Sequence, residues 1–429
     1  MKVTYNKELM KYPIKSWCNS LNAELTSELD YMTNPIKIKD RRDNVATQFM
    51  NLVNHPKIGT WVVPLPDAHY GYGMPIGAVA GFENTIIPHA VGKDIGCGVC
   101  FLRTNIPSEL MYYTPVGKDK TILEIILDIL IKNIPVGFSR HKNHQSWHGF
   151  DDSKMNIFPD ILFDGMFESA LYSLGTLGGG NHFIEIQKTF ETNEITFMLH
   201  SGSRGPGAMI CDYYNDIAKE LNHKWASNIP DNHGLNFLPT DSIKGRAYIQ
   251  CMNWAMRYAE ENRYRMMRQI ENVTINILKK FNLIDKYENL QENDVAHNYA
   301  SFENVNGKNL WVHRKGATRA RKDDVICIPG SMGTPSFIGR GLGNEHSLNS
   351  CSHGAGRDES RTVSRERISQ DAYKNSMKGI LVKTPGGKID MSEAPDAYKD
   401  VQMIIDEQKD LIEIEHICTP IGVIKEGKR

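Results

Sequence analysis

From Trp61 the chain alternates short apolar runs with glycine and histidine, as in WVVPLPDAHYGYGMPIGAVAGF (61–82). Apolar runs this short, broken by glycine, fit brief strands and tight turns. The same texture returns from Val312. Between these stretches, Tyr248, Met252, Ala255, Ala259, Met266, Ile270, Val273 and Ile277 recur at three- and four-residue steps, which predicts a helix over 242–281. Residues 121–134 (TILEIILDILIKNI) predict an amphipathic helix, and Phe197 to Leu199 a buried strand running into a glycine turn. Residues 1–55 read as a polar start with helical segments. Residues 206–240 and 283–295 read as irregular, 400–412 as a last helix and 417–424 as a strand. The mixture predicts an α+β fold, with mixed sheets surrounded by helices. No linker stands out. One catalytic domain over 1–429 is expected, with a largely helical inserted section at about 206–295.

Lys and Arg number 50 against 51 Asp and Glu, a formal net charge of −1. A global basic field is absent, so any polyanion must be met by a local patch. The eight cysteines form no framework of close pairs, which points to reduced thiols in a cytoplasmic protein. The first residues lack the apolar core of a signal peptide, and no apolar run reaches the roughly 18 residues of a membrane span.

Six segments place metal-capable side chains beside glycine: PDAHYGYGMPIG (66–77), VGKDIGCG (91–98), LGGGNHFIEI (177–186), LHSGSRGPG (199–207), AHN (296–298) and SHGAGRDESR (352–361). Glycine lets backbone N–H groups approach an anion closely, while His, Cys and Asp bind metals. Taken singly, each residue has an ordinary reading. Asp94 and Cys97 suit a surface acid and a buried thiol, His182 a core histidine. His200 ends an apolar run before a glycine turn, and His297 alone says little. As a set, Asp94, Cys97, His182, His200 and His297 offer the donors for one or two divalent ions, with Cys97 able to bridge. Ligand softness alone points to zinc or ferrous iron.

His353 lies in SCSHGAGR, with Arg357 and Arg361 four and eight residues on. Two readings stand side by side: a further metal-site histidine, or a nucleophile attacking a phosphate whose charge the glycine amides and arginines stabilise. IPGSMGTPSF (328–337) is a Gly/Ser loop of the kind that cradles nucleotides. HRKGATRARK (313–322) is a basic run: a solvated face by default, or an RNA-backbone contact if it lies beside a phosphate site.

Together these segments, with HRKGATRA, PGSMGT and EAPDAYKD (393–400), resemble the RtcB family of tRNA-splicing and RNA-repair ligases over residues 66 to 425. The resemblance implies the family's α+β fold, two Mn²⁺ ions and GTP. Asp94, Cys97 and His182 would hold one ion; Cys97, His200 and His297 the second. His353 would carry GMP. Asn181, His182, Phe183, Ile184, Glu185, His297, Asn298, Pro329, Gly330, Ser331, Met332, Ser336, Gly354, Ala355, Gly356 and Lys425 would surround the nucleotide. Arg204, Arg357 and Arg361 would hold RNA phosphates or the leaving pyrophosphate, and Asp67 would orient the RNA end or a metal ligand. The implied reaction joins RNA 3′-phosphate or 2′,3′-cyclic phosphate ends to 5′-hydroxyl ends, with an archease-like protein as a candidate activator. A dinuclear phosphoesterase and a non-catalytic RNA-binding subunit are the alternatives. The nucleotide loop and His353 beside a full ligand set weigh against both.

Overall fold

The structure is a computed structural model that describes residues 1–33, 44–151 and 156–427. Two large sheets organise it. One has six strands in the order Lys2–Thr4, Ile14–Ser16, Ile58–His69, Ile76–Phe82, Lys308–Lys315 and Asn298–Val305. The path of the other runs Asn289–Ala296, Gly98–Pro107, Glu194–Ser201, Phe183–Thr189, Ile412–Lys425, Ser336–Gly341 and Val325–Ile328, with Leu381–Lys383 pairing in parallel to Ile412–Lys425. Most pairings are antiparallel, so the α+β expectation is met at the level of mixed helices and sheets.

The sheets are joined at one residue. The Asn289–Ala296 edge strand of the larger sheet passes through His297 directly into Asn298–Val305 at the edge of the smaller. His297 at that seam is buried. Ile58–His69 and Glu194–Ser201 are buried along nearly their whole length, which explains their continuous apolar runs.

Two predicted helices form where their periodicity placed them. Ile122–Asn133 starts at a capping box, Thr121 accepting from the Glu124 N–H while the Glu124 carboxylate accepts from the Thr121 N–H. Its Ile122, Leu123, Ile126, Leu127 and Leu130 pack onto the larger sheet. Ile243–Lys280 runs 38 residues, about 57 Å at 1.5 Å per residue, and buries the predicted Tyr248, Met252, Ala255, Ala259, Met266 and Ile270.

Three expectations need correction. Residues 206–240 are not irregular throughout, because Arg204–Lys224 is a helix. Its Gly205-Pro206-Gly207 start reads as a loop, yet proline's missing N–H costs nothing in a first turn. Residues 283–295 contain the Asn289–Ala296 strand, which pairs with Gly98–Pro107. It is a polar sheet edge, so its sequence carries no apolar signature. The last helix stops at Glu407, and the final strand begins at Ile412. There Ile412 and Ile414 alternate with exposed Glu413 and Glu415, the two-residue period of a half-buried strand. All eight cysteines are buried and unpaired. Among the described residues no helix is long and apolar enough to cross a membrane.

Candidate metal and nucleotide site

The short helix Pro88–Val91 ends at Gly92, and the chain turns through Lys93 to Gly96 into the Gly98–Pro107 strand. The Cys97 N–H donates to the Asp94 carbonyl at 3.0 Å, closing that turn, and the Gly96 N–H donates to the Asn298 carbonyl at 2.8 Å. Gly96 has φ +71°, and a Cβ there would lie 2.9 Å from the Met256 Cα of the long helix. Only glycine suits this position, which aims Asp94 and Cys97 at one point.

Three more elements bring the histidines to that point. His182 precedes the Phe183–Thr189 strand, His200 lies near the end of Glu194–Ser201 and His297 occupies the seam. Cys97 Sγ lies 3.2 Å from His200 Nε2 and 3.5 Å from His182 Nε2. His182 Nε2 is 3.0 Å from Asp94 Oδ2, and His200 Nε2 is 3.3 Å from His297 Nε2. The donors form two overlapping triads, Asp94–Cys97–His182 and Cys97–His200–His297, with all donor atoms of each within 4.8 Å of one another.

The rings are oriented from behind. His182 Nδ1 donates to the Leu177 carbonyl at 2.9 Å, and His200 Nδ1 to the Asn181 carbonyl at 3.2 Å. Each ring is thereby fixed as the tautomer with a bare Nε2 lone pair, the usual arrangement behind a metal-binding histidine. Lone pairs this close repel unless a proton or a cation lies among them. Burial pushes the His200 and His297 pKa values well down, so a proton is disfavoured there. Burial opposes the charge on Asp94 too, but His182 and Arg204 outweigh it and hold its carboxyl well below the usual range. Burial and the Asp94 carboxylate push the Cys97 thiol up, an effect a bound cation reverses. The spacings match donors about 2.1 Å from a shared ion, roughly 3.4 Å apart in a tetrahedron. The donor set therefore fits divalent metal.

His353 follows the Ser350–Ser352 strand. Its Nδ1 lies 2.6 Å from Oδ2 of Asp67, and its backbone N–H donates to the same oxygen at 3.0 Å. Asp67 is fully buried; burial works against its charge, and His353 restores it. With Nδ1–H committed to a carboxylate, Nε2 is left as the nucleophilic nitrogen. The His353 ring stands 4.7 Å from the His297 ring, so it adjoins the second triad.

His353 also lines a cavity of about 280 Å³, whose walls include Asn181, Phe183, His200 and residues 329–332. Gly354, Ala355, Gly356, Arg357, Arg361 and Lys425 complete the side near His353. Other sequence-predicted residues sit behind the walls. Ile184 packs into the apolar core with Phe197 and Leu199. Ser336 Oγ accepts from the Gly330 N–H at 3.3 Å and from Gln187, which also donates to Glu185. Burial raises the Glu185 carboxyl to about 7. Asn298 braces the turn, donating to the Asp94 carbonyl and accepting from the Gly316 N–H. Arg204 is held under the 177–180 loop, donating to the Gly137 carbonyl at 3.0 Å.

The basic run 313–322 is mostly internal. Arg314 is fully buried and ion-paired with Glu303; Lys315 is buried on the Tyr72 and His89 carbonyls; His313 accepts from the Ile87 N–H. Only Arg319, Arg321 and Lys322 are exposed. His313, Arg314 and Lys315 are therefore withdrawn from any RNA contact: they end the Lys308–Lys315 strand, which is flanked on both sides in its sheet, and all three are buried.

Two residues were missed by the sequence reading. Glu393 is buried and binds Lys425 Nζ at 2.9 Å, Arg361 at 3.1 Å, Arg357 at 3.2 Å and the Tyr398 hydroxyl at 2.6 Å. Burial opposes its charge, but these cations bring its carboxyl down to about 2. His69 donates through Nδ1 to the Asp67 carbonyl and lines the cavity. Both lie inside motifs already singled out, EAPDAYKD and PDAHYGYG, and chain order alone says nothing of their partners.

The geometry defines a carboxylate-held histidine beside two sets of metal donors, in a cavity rimmed by three cations that share one buried acid. The family model described as "tRNA-splicing ligase RtcB" matches residues 48–426. The "RNA-splicing ligase RtcB" of Escherichia coli K12 is 32% identical over 395 residues, covering 88% of this chain and 93% of that protein. The "tRNA-splicing ligase RtcB" of Nanoarchaeum equitans is 30% identical over 462 residues, covering 92% and 94%. The chain belongs to the RtcB family, a family of RNA ligases.

Proposed function

We propose that this protein seals RNA 3′-phosphate or 2′,3′-cyclic phosphate ends to 5′-hydroxyl ends, spending GTP through a GMP adduct on His353. The observation that carries the reading is the position of His353. Its Nδ1 is fixed by Asp67, and its ring adjoins the Cys97–His200–His297 triad.

Asp94, Cys97, His182, His200 and His297 are the residues that would hold metal, and the family resemblance makes it two Mn²⁺ ions. Bound there, the metal supplies Lewis-acid charge that offsets negative charge on phosphate oxygens. Everything else falls to the chain. His353 Nε2 attacks the α-phosphate of GTP; the bond to the β-phosphate breaks and pyrophosphate leaves. Asp67 stabilises the positive ring that results. An oxygen of the RNA 3′-phosphate then attacks the histidine-bound phosphorus and returns His353 to neutral. The 5′-hydroxyl attacks the activated phosphate, loses its proton and expels GMP. A cyclic phosphate is hydrolysed first.

A 5′-hydroxyl is a weak nucleophile, so holding the ends in place contributes most. Arg357 and Arg361 lie where anionic phosphate needs cations, and Phe183 with Lys425 walls the cavity where a base would sit. The reading places the protein in the cytoplasm, with an archease-like activator as candidate partner. Mixing it with GTP, Mn²⁺ and RNAs bearing 3′-phosphate and 5′-hydroxyl ends tests this. Sealing with GTP and none with ATP is expected; no sealing, or equal sealing with ATP, overturns it.

A further inference from the structure

Burial takes Arg314 and Lys315 away from the RNA backbone, so an RNA ligase of net charge −1 needs further exposed cations near its site. From residue 129 to 150 the chain has no acidic residue, and it carries Lys132, Arg140 and Lys142 together with three histidines. The part of this stretch that follows the Ile122–Asn133 helix lies against the glycine loop of the site. The Gly137 N–H donates to the Gly178 carbonyl at 2.8 Å, and the Leu177 N–H to the Pro135 carbonyl at 2.9 Å. Asn181, three residues beyond Gly178, walls the cavity that holds His353.

The segment is pinned at intervals. The His141 N–H donates to the Tyr172 carbonyl at 3.0 Å, and the Gln145 N–H to the Leu171 carbonyl at 2.8 Å. Between the pins, Phe138, Arg140, Lys142 and His144 are exposed, Phe138 to 75%. The Phe138 ring is open to solvent to the same degree as that of Phe190, at 72%. Glu426, the acid beside Gly137, accepts from the Gly180 N–H at 3.0 Å.

We propose that residues 138–144 form the surface that grips the single-stranded RNA next to the end being joined. Phe138 stacks on a base, and Arg140 and Lys142 contact successive phosphates. A base stacked on an aromatic ring, with cations tracking the backbone beside it, is the general means of holding single strands without reading sequence. The proposal rests on the ligase reading for its occupant, and its position comes from the hydrogen bonds to the 177–180 loop.

The test measures binding of a fluorescent single-stranded RNA of about 20 nucleotides, bearing a 3′-phosphate, across a series of salt concentrations. The variants are Phe138→Ala, the pair Arg140→Ser/Lys142→Ser, and a control pair, Lys280→Ser/Lys286→Ser. Lys280 lies about 30 Å along the long helix from Ala259. Each protein is also given radiolabelled GTP and Mn²⁺ to read the GMP adduct. The double variant is expected to lower the slope of log affinity against log salt by about 1.4, since each single-strand phosphate contact contributes about 0.7. Phe138→Ala is expected to bind about tenfold more weakly at unchanged slope, and the control pair to match the parent. Unchanged slope and affinity in both test variants, or no RNA binding by the parent, overturns the strip. A parent that binds RNA through the strip but takes up no GMP overturns the ligase reading instead.

Discussion

Asp67 Oδ2 accepts two hydrogen bonds from one residue, the backbone N–H and the Nδ1–H of His353, at 3.0 and 2.6 Å. A single buried oxygen thus fixes both the position of this loop residue and the tautomer of its ring. Asp67→Asn keeps the shape but offers Nδ1 an amide N–H, which moves the ring proton to Nε2. GMP-adduct formation is expected to fall on the order of a thousandfold, with the melting temperature little changed. Label transfer from radiolabelled GTP measures it. A rate within tenfold of the parent would remove Asp67 from the positioning role.

Cys97 belongs to both donor triads, whereas His182 and His297 each belong to one. Removing a shared ligand weakens two sites at once. After equilibration with Mn²⁺ and desalting, Cys97→Ala is expected to retain less metal than either His182→Ala or His297→Ala. Elemental analysis gives the ratio. Equal retention in all three would mean that the thiolate does not bridge.

Glu393 ties stability to acid pH. Its carboxyl ionises near 2 in the fold against 4.5 for the free group, so the unfolded chain binds the extra proton between those values. The stabilisation is complete above about 4.5 and is lost as pH falls toward 2, roughly 1.4 kcal/mol for each unit of pKa difference. Glu393→Gln should flatten the acid limb of a denaturant-midpoint profile. Because it also releases Lys425, Arg357 and Arg361 from their shared partner, the KM for GTP should change more than kcat. An unaltered acid limb would contradict the ion-pair assignment.

Arg314 tests the corrected reading of the basic run. It donates to Glu303, to the Ser350 hydroxyl and to the Leu348 carbonyl, all without solvent. Arg314→Met leaves Glu303 buried without its main partner, which costs about 3–5 kcal/mol. Chemical denaturation should report that loss, while RNA affinity of the folded fraction stays the same. A variant that folds normally and binds RNA weakly would return Arg314 to the surface role.

The local grammar of the chain was legible before any coordinates. The amphipathic pattern of 121–134 announces one helix, and the three-and-four spacing from Tyr248 to Ile277 announces a long one, because both depend on near neighbours. The Asp94 to Cys97 turn is equally local: Gly96 supplies the backbone angle, and two donors three residues apart follow. Strand Asn289–Ala296 and the first residues of Ile412–Lys425 were harder, since a polar edge and a half-exposed strand end take their identity from the strand they pair with.

By itself, then, the sequence determined the inventory of the protein: which donors it owns, which turns and helices they stand on, and which family its motifs match. Only the tertiary structure decided who meets whom. That Cys97 touches histidines 85 and 103 residues away, that Glu393 gathers three cations, and that Arg314 lies inside rather than on an RNA face follow from sheet order and layer packing. Side-chain chemistry travels with the residue, but burial, tautomer and charge pairing are properties of the neighbours, and the fold brings those neighbours from distant parts of the chain.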